Sequence, residues 1–166
     1  DTTGNAATFT VSANNSNNET VYPVFVDGVS GAQGAETDTG LTYNPSSNVL
    51  TVGTLDVGSS NISSGTHTFT ASAGTAVTAD STAIGSANAI EYTIYISNST
   101  NIQSQKVLIM DNGTTAYIQE FAAMSNPNLI ATFSADVNSG NVRLRATPET
   151  GISGSTTIKF TKTIIE

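Results

Sequence analysis

Between residues 91 and 165, six short segments alternate apolar with polar residues: 91–97 (EYTIYIS), 105–111 (QKVLIMD), 115–124 (TAYIQEFAAM), 129–137 (LIATFSADV), 141–147 (NVRLRAT) and 156–165 (TTIKFTKTII). A period of two places successive side chains on opposite faces of a strand, and turn residues separate almost every pair. Asn112-Gly113 is a strong hairpin signal, because both central positions of a type I′ turn need positive φ. Ser139-Gly140, between Asn138 and Asn141, signals a second hairpin. If Asn138 pairs with Asn141, then Val137 meets Val142, Ala135 meets Leu144 and Phe133 meets Ala146 on one face. Asp136 then meets Arg143, and Ser134 meets Arg145, on the other. Apolar pairs on one face with opposite charges meeting on the other mark a register with one wet face.

The strands around Asn112-Gly113 are apolar on both faces: Val107, Ile109, Ala116 and Ile118 on one, Leu108, Met110 and Tyr117 on the other. Such a pair belongs at the centre of a sandwich or beneath a neighbouring subunit. Thr, Val and Ile make up 52 of the 166 residues, and their β-branched side chains suit a pleated surface better than a helix. The fold class is all-β, with residues 91–166 forming a small antiparallel, jelly-roll-like β-sandwich.

Residues 1–90 have a thinner texture. They hold 18 of the 37 Ile, Val, Leu and Phe residues. Segments 7–13 and 20–27 read as short strands, the second interrupted by Pro23, which lacks a ladder donor. Residues 28–40, with Gly28, Gly31 and Gly34, read as a connector. A hairpin is expected over 41–52 about Asn44-Pro45-Ser46-Ser47-Asn48. Beyond it Leu55, Val57, Ile62, Phe69 and Val77 are isolated among Ser, Thr and Gly, too sparse to build a core alone. Bundling identical chains would gather them, so 1–90 is expected to form an intertwined trimeric β shaft or connector.

The charge, −8, is divided in the same way. All five basic residues (Lys106, Arg143, Arg145, Lys159, Lys162) follow residue 105, and residues 1–105 hold eight acids. That distribution argues against nucleic acid and anionic lipid as partners, and no 18-residue apolar run suggests membrane insertion. The chain opens on Asp1, as expected of a piece of a longer protein.

Catalytic chemistry has little to work with. There is no cysteine and one histidine, His67, expected to be exposed or on an axis between copies; neither a multi-histidine metal site nor a Ser/His/Asp arrangement is suggested. Glu36 with Asp38, or Glu91 with Glu120, are the carboxylate pairs to weigh for glycoside hydrolysis. Asp27, Glu36 and Asp38 are hard oxygen ligands without a calcium-loop pattern. Five N-x-S/T sequons match what this Asn, Ser and Thr content gives by chance. No cofactor, metal or enzymatic activity is expected. The surface to consider for binding is Arg143, Arg145 and Lys159: folding 141–147 against 156–165 would set Arg145 near Lys159, suited to an acidic sugar or a phosphate.

Two segments resemble known modules. Residues 22–57 (YPVFVDGVSGAQGAETDTGLTYNPSSNVLTVGTLDV) resemble a module of virion structural and tail-fibre proteins of tailed phages, especially those of marine cyanobacteria. Residues 105–165 resemble a C-terminal module from structural proteins of the same phages, and 80–89 (DSTAIGSANA) look like one repeat of a trimeric adhesin head. The resemblance implies a homotrimeric fibre or spike on the virion surface, built as a β shaft and a globular tip and displayed for host attachment. Its partners would be other virion proteins and a host surface polysaccharide. The alternatives are a capsid fibre, decoration or baseplate protein, or a fragment of a polysaccharide depolymerase tailspike.

Overall fold

The computed structural model describes residues 12–166, and every regular element among them is a β-strand. Two compact units meet in sequence at Gly53 and Thr54.

In the first unit β1 (Val24–Phe25) pairs with β2 (Glu36–Thr37), and β3 (Thr42–Asn44) with β4 (Val49–Thr51), both antiparallel. The hairpin expected over 41–52 is present, with Tyr43 opposite Leu50. Asn44 Oδ1 accepts from the N–H groups of Ser46 and Ser47, an Asx turn that bends the chain. The strand expected over 20–27 is reduced to two residues next to Pro23, and the expected connector contains β2. The strand expected over 7–13 lies largely outside the described residues.

The second unit contains β5 (Thr54–Asp56), β6 (Ser60–Ala71), β7 (Val77–Ala83), β8 (Ala89–Asn98), β9 (Asn101–Asp111), β10 (Ala116–Asn126), β11 (Ala131–Asn138), β12 (Asn141–Pro148) and β13 (Gly154–Ile165). A six-stranded sheet runs β10-β9-β8-β13-β6-β5, and a three-stranded sheet runs β11-β12-β7. The early strands close on the late ones: β6 pairs with β13 and β7 with β12, while β8-β9-β10 is a plain meander. This corrects the boundary expected at 90/91, because residues 54–90 belong to the same unit as 91–166. Phe69 and Val77 find their apolar neighbours in this same chain, where they pack on the core of the later strands.

Both sheets contribute to that core. Ile90, Tyr92, Ile94 and Ile96 of β8 join Ile158, Phe160 and Ile164 of β13 from the larger sheet, and Phe133, Leu144 and Ala146 from the smaller. Burying each large aliphatic side chain contributes about 1.5–3 kcal/mol. Polar side chains complete the seam where β11 presents an edge. Gln103 of β9 accepts from the N–H groups of Ile130 (2.7 Å) and Ala131 (3.0 Å) and donates to Ala131 O (2.7 Å). Glu120 of β10 accepts from Phe133 N–H (3.0 Å) and from Gln105 Nε2 (2.6 Å). These side chains satisfy backbone groups that a neighbouring strand would otherwise pair.

The β11–β12 register places Val137 opposite Val142, Phe133 opposite Ala146 and Asp136 opposite Arg143, as the alternation requires. At Asn112-Gly113 the turn differs from the expected two-residue loop. Asp111 pairs with Ala116, so residues 112–115 form the loop; Gly113 alone takes positive φ there, and Asn112 Oδ1 accepts from the N–H groups of Thr114 and Thr115. The face assignments survive because the register sum changes by two, which preserves the alternation. The expectation that this pair is central to a sandwich does not hold: β10 is an edge strand, and Leu108, Met110 and Tyr117 are exposed.

Candidate binding face of the six-stranded sheet

Because Ile94, Ile96, Ile158 and Phe160 point into the core, their alternating neighbours point out. Register then fixes the rows that cross this outward face. One row is Thr66, Lys159, Tyr95, Ser104 and Met124; the next is Ser64, Thr161, Thr93, Lys106 and Phe121. Directly opposed residues in an antiparallel pair have Cβ atoms about 4.5–5.5 Å apart, so Lys159 and Tyr95 are side-by-side neighbours.

Tyr95 is 42% exposed, and open grooves lie on both sides of it. One, of about 220 Å³, is lined by Tyr95, Ile102, Ser104 and Met124 with Ser125 and Asn126. The other, of about 310 Å³, is lined by Tyr95 and Ser104 with Ser64, Thr93, Lys159 and Thr161 among others. Tyr95 and Ser104 line both, so they form the ridge between them. The Ser104 hydroxyl donates to Ile94 O (3.0 Å), which holds that side of the ridge in place.

The charged strand residues of this face are Glu91, Lys106 and Lys159. Glu91 and Lys106 form an ion pair. Lys159 has neither an ion pair nor a side-chain hydrogen bond among the described residues. The face therefore carries one excess positive charge within a chain of net charge −8.

The basic patch expected from Arg143, Arg145 and Lys159 is not assembled. Residues 141–147 do not fold against 156–165, because β12 lies between β11 and β7 while β13 lies between β6 and β8. Arg143 chelates Asp136 through Nε and Nη2, both at 2.6 Å. The hydrogen bonds from Arg143 hold the Asp136 carboxyl below its ordinary value. Arg145 donates to Thr78 Oγ1 and Ala76 O, both at 2.9 Å. The two arginines are thus occupied in joining β12 to its neighbours, and of the three basic residues only Lys159 is without a partner among the described residues.

The carboxylates singled out by sequence are also dispersed. Glu91 faces outward with Lys106, whereas Glu120 faces inward with Gln105 and Phe133 N–H. Asp38 accepts from Gly40 N–H within its own loop. His67 is half-buried and stacks on Phe69 with ring centroids 5.6 Å apart, instead of standing exposed.

Tyr95 did not emerge from motif and charge patterns as a functional residue. Its signal was the alternation in EYTIYIS, where Ile94 and Ile96 fix the inward phase and leave Tyr95 outward.

A scan against protein-family models and a search of curated proteins each found no match. Among solved structures, the chain is similar to the tailspike protein of Acinetobacter phage vB_ApiP_P1, at 17% identity and a TM-score of 0.45, over 61% of this chain and 22% of that one. It is also similar to the tailspike protein of Acinetobacter baumannii phage AM24, at 9% identity and a TM-score of 0.46, over 64% of this chain and 26% of that one. The chain spans about a quarter of the length of either tailspike.

Proposed function

We propose that the chain is a subunit of a phage virion, a homotrimeric tail fibre or spike component displayed for host-cell attachment, whose work is binding and not catalysis. The observation that carries this reading is the outward face of the six-stranded sheet. Tyr95 stands there between two open grooves, among the hydroxyls of Ser64, Thr93, Ser104 and Thr161, on strands whose opposite face is core. An open, hydroxyl-rich face with an exposed aromatic suits a repeating surface polymer better than a small molecule, which calls for an enclosed pocket. The resemblance of residues 22–57 and 105–165 to phage structural modules supports the virion setting. The exposed apolar side chains Leu108, Met110 and Tyr117 favour an assembled state over an isolated chain.

Two measurements test the proposal. Native mass spectrometry is expected to give three times 17.0 kDa, and a stable folded monomer would contradict the trimer. Purified protein added to host cells before infection is expected to reduce particle adsorption, and to release no reducing ends from host capsule.

A further inference from the structure

We infer that the two grooves flanking Tyr95 form one binding site for a chain of sugars bearing carboxylates, with Lys159 as the group that selects for the charge. The inference rests on the attachment reading above and names its ligand class. A pyranose ring has an apolar C–H face and a rim of hydroxyls. The exposed Tyr95 ring, with Ile102 and Met124 beyond it, provides apolar surface for the first. The hydroxyls of Ser64, Thr93 and Thr161 can donate and accept for the second, and that of Ser104, whose proton goes to Ile94 O, can accept. Tyr95 and Ser104 line both grooves, so a polymer laid across that ridge would touch both, as a single sugar need not.

Charge decides the class. Lys106 is held by Glu91, and Arg143 is held by Asp136. Lys159 is uncommitted, its cross-strand neighbours are Thr66 and Tyr95, and its neighbours two residues along the strand are Thr157 and Thr161. None of those four is acidic. A carboxylate placed there gains a charge-assisted hydrogen bond and meets no like charge from the facing positions. A neutral glycan would leave Lys159 unused.

The test uses the intact chain and four probes: hyaluronan oligosaccharide, alginate oligosaccharide, polygalacturonate oligosaccharide and neutral dextran. Binding is followed by amide and side-chain NMR shifts, with affinity from the titration. At least one carboxylated probe is expected to shift Tyr95 and Lys159 resonances, to bind more weakly as salt rises, and to exceed dextran. Lys159→Gln is expected to weaken that binding about tenfold, the effect of losing one charged hydrogen bond. Tyr95→Ser should weaken it in both wild-type and Lys159→Gln backgrounds, while Arg143→Gln on the other sheet leaves it unchanged. Circular dichroism of each variant checks that it folds. Equal binding of dextran, unaltered affinity in Lys159→Gln, or no shift with any carboxylated probe would overturn the inference. If Lys159→Gln binds these glycans normally yet the wild-type chain still blocks adsorption, the glycan site fails and the attachment reading stands. If the glycan effects appear and adsorption is not blocked, the reverse holds.

Discussion

Lys162 of β13 donates to Asp80 Oδ2 of β7 at 2.7 Å, an ion pair that ties the six-stranded sheet to the three-stranded one with side chains only 14% and 18% exposed. Tyr92 Oη donates to the same carboxylate oxygen at 2.8 Å, and Thr82 Oγ1 lies 3.3 Å from Lys162 Nζ. Removing one partner leaves a poorly solvated charge. Asp80→Ala is therefore expected to cost about 3 kcal/mol. The double variant Asp80→Leu, Lys162→Met, which removes both charges, should cost much less. Urea unfolding of the three proteins checks this, and equal losses in single and double variants would contradict it.

Burial pushes the Tyr92 phenol above its ordinary value, and the neighbouring Asp80 charge adds to the shift. Above a pH of about 10, the tyrosine value in an unfolded chain, the unfolded state releases a proton that the folded state keeps. Stability should fall as pH rises past that point. Tyr92→Phe should lose less stability than wild type between about pH 9 and 11. Denaturant unfolding across that range, with Tyr95→Phe as the exposed comparison, measures the difference; identical slopes would count against it.

Gln103, buried in β9, supplies partners to Ile130 N–H and to both backbone groups of Ala131. Gln103→Leu keeps the bulk and orphans all three, at about 1–3 kcal/mol for each buried group left unpaired. A loss of several kcal/mol is expected, with faster amide exchange at Ala131 and Phe133 before any change at Ile158. Uniform exchange across both sheets would contradict the seam assigned to Gln103.

Gly65 is set by its cross-strand partner. A Cβ built there would lie 2.3 Å from Phe160 Cζ, because the ring covers the glycine position. Gly65→Ala must displace that ring from the core and is expected to lower stability by about 1–3 kcal/mol. Phe160→Leu in the same chain should recover part of the loss, measured by thermal unfolding.

The fold was legible where one chain segment carried both the pattern and its punctuation. Phe133, Ala135 and Val137 alternate with Asp136 across from Arg143, so the β11–β12 register followed from sequence. The role of 54–83 did not follow, because Phe69 and Val77 are sparse and their neighbours lie on strands far along the chain. The grouping of Arg143 and Arg145 with Lys159 does not hold, because β12 and β13 lie in different sheets. The Asp80–Lys162 pair is not legible in the sequence, since a charge at an inward position looks solvated until the opposite sheet is in place. Tyr95 was hidden among Thr and Ser, and only the inward phase of Ile94 and Ile96 marks it.

As proposed, this chain is displayed on a tail appendage of a phage particle. Gold-labelled antibody raised against residues 54–166 and imaged on intact particles by electron microscopy tests it most directly. The expected result is label at the distal end of a tail appendage. Label on the capsid shell, or none on particles that contain the protein by mass spectrometry, would contradict the account.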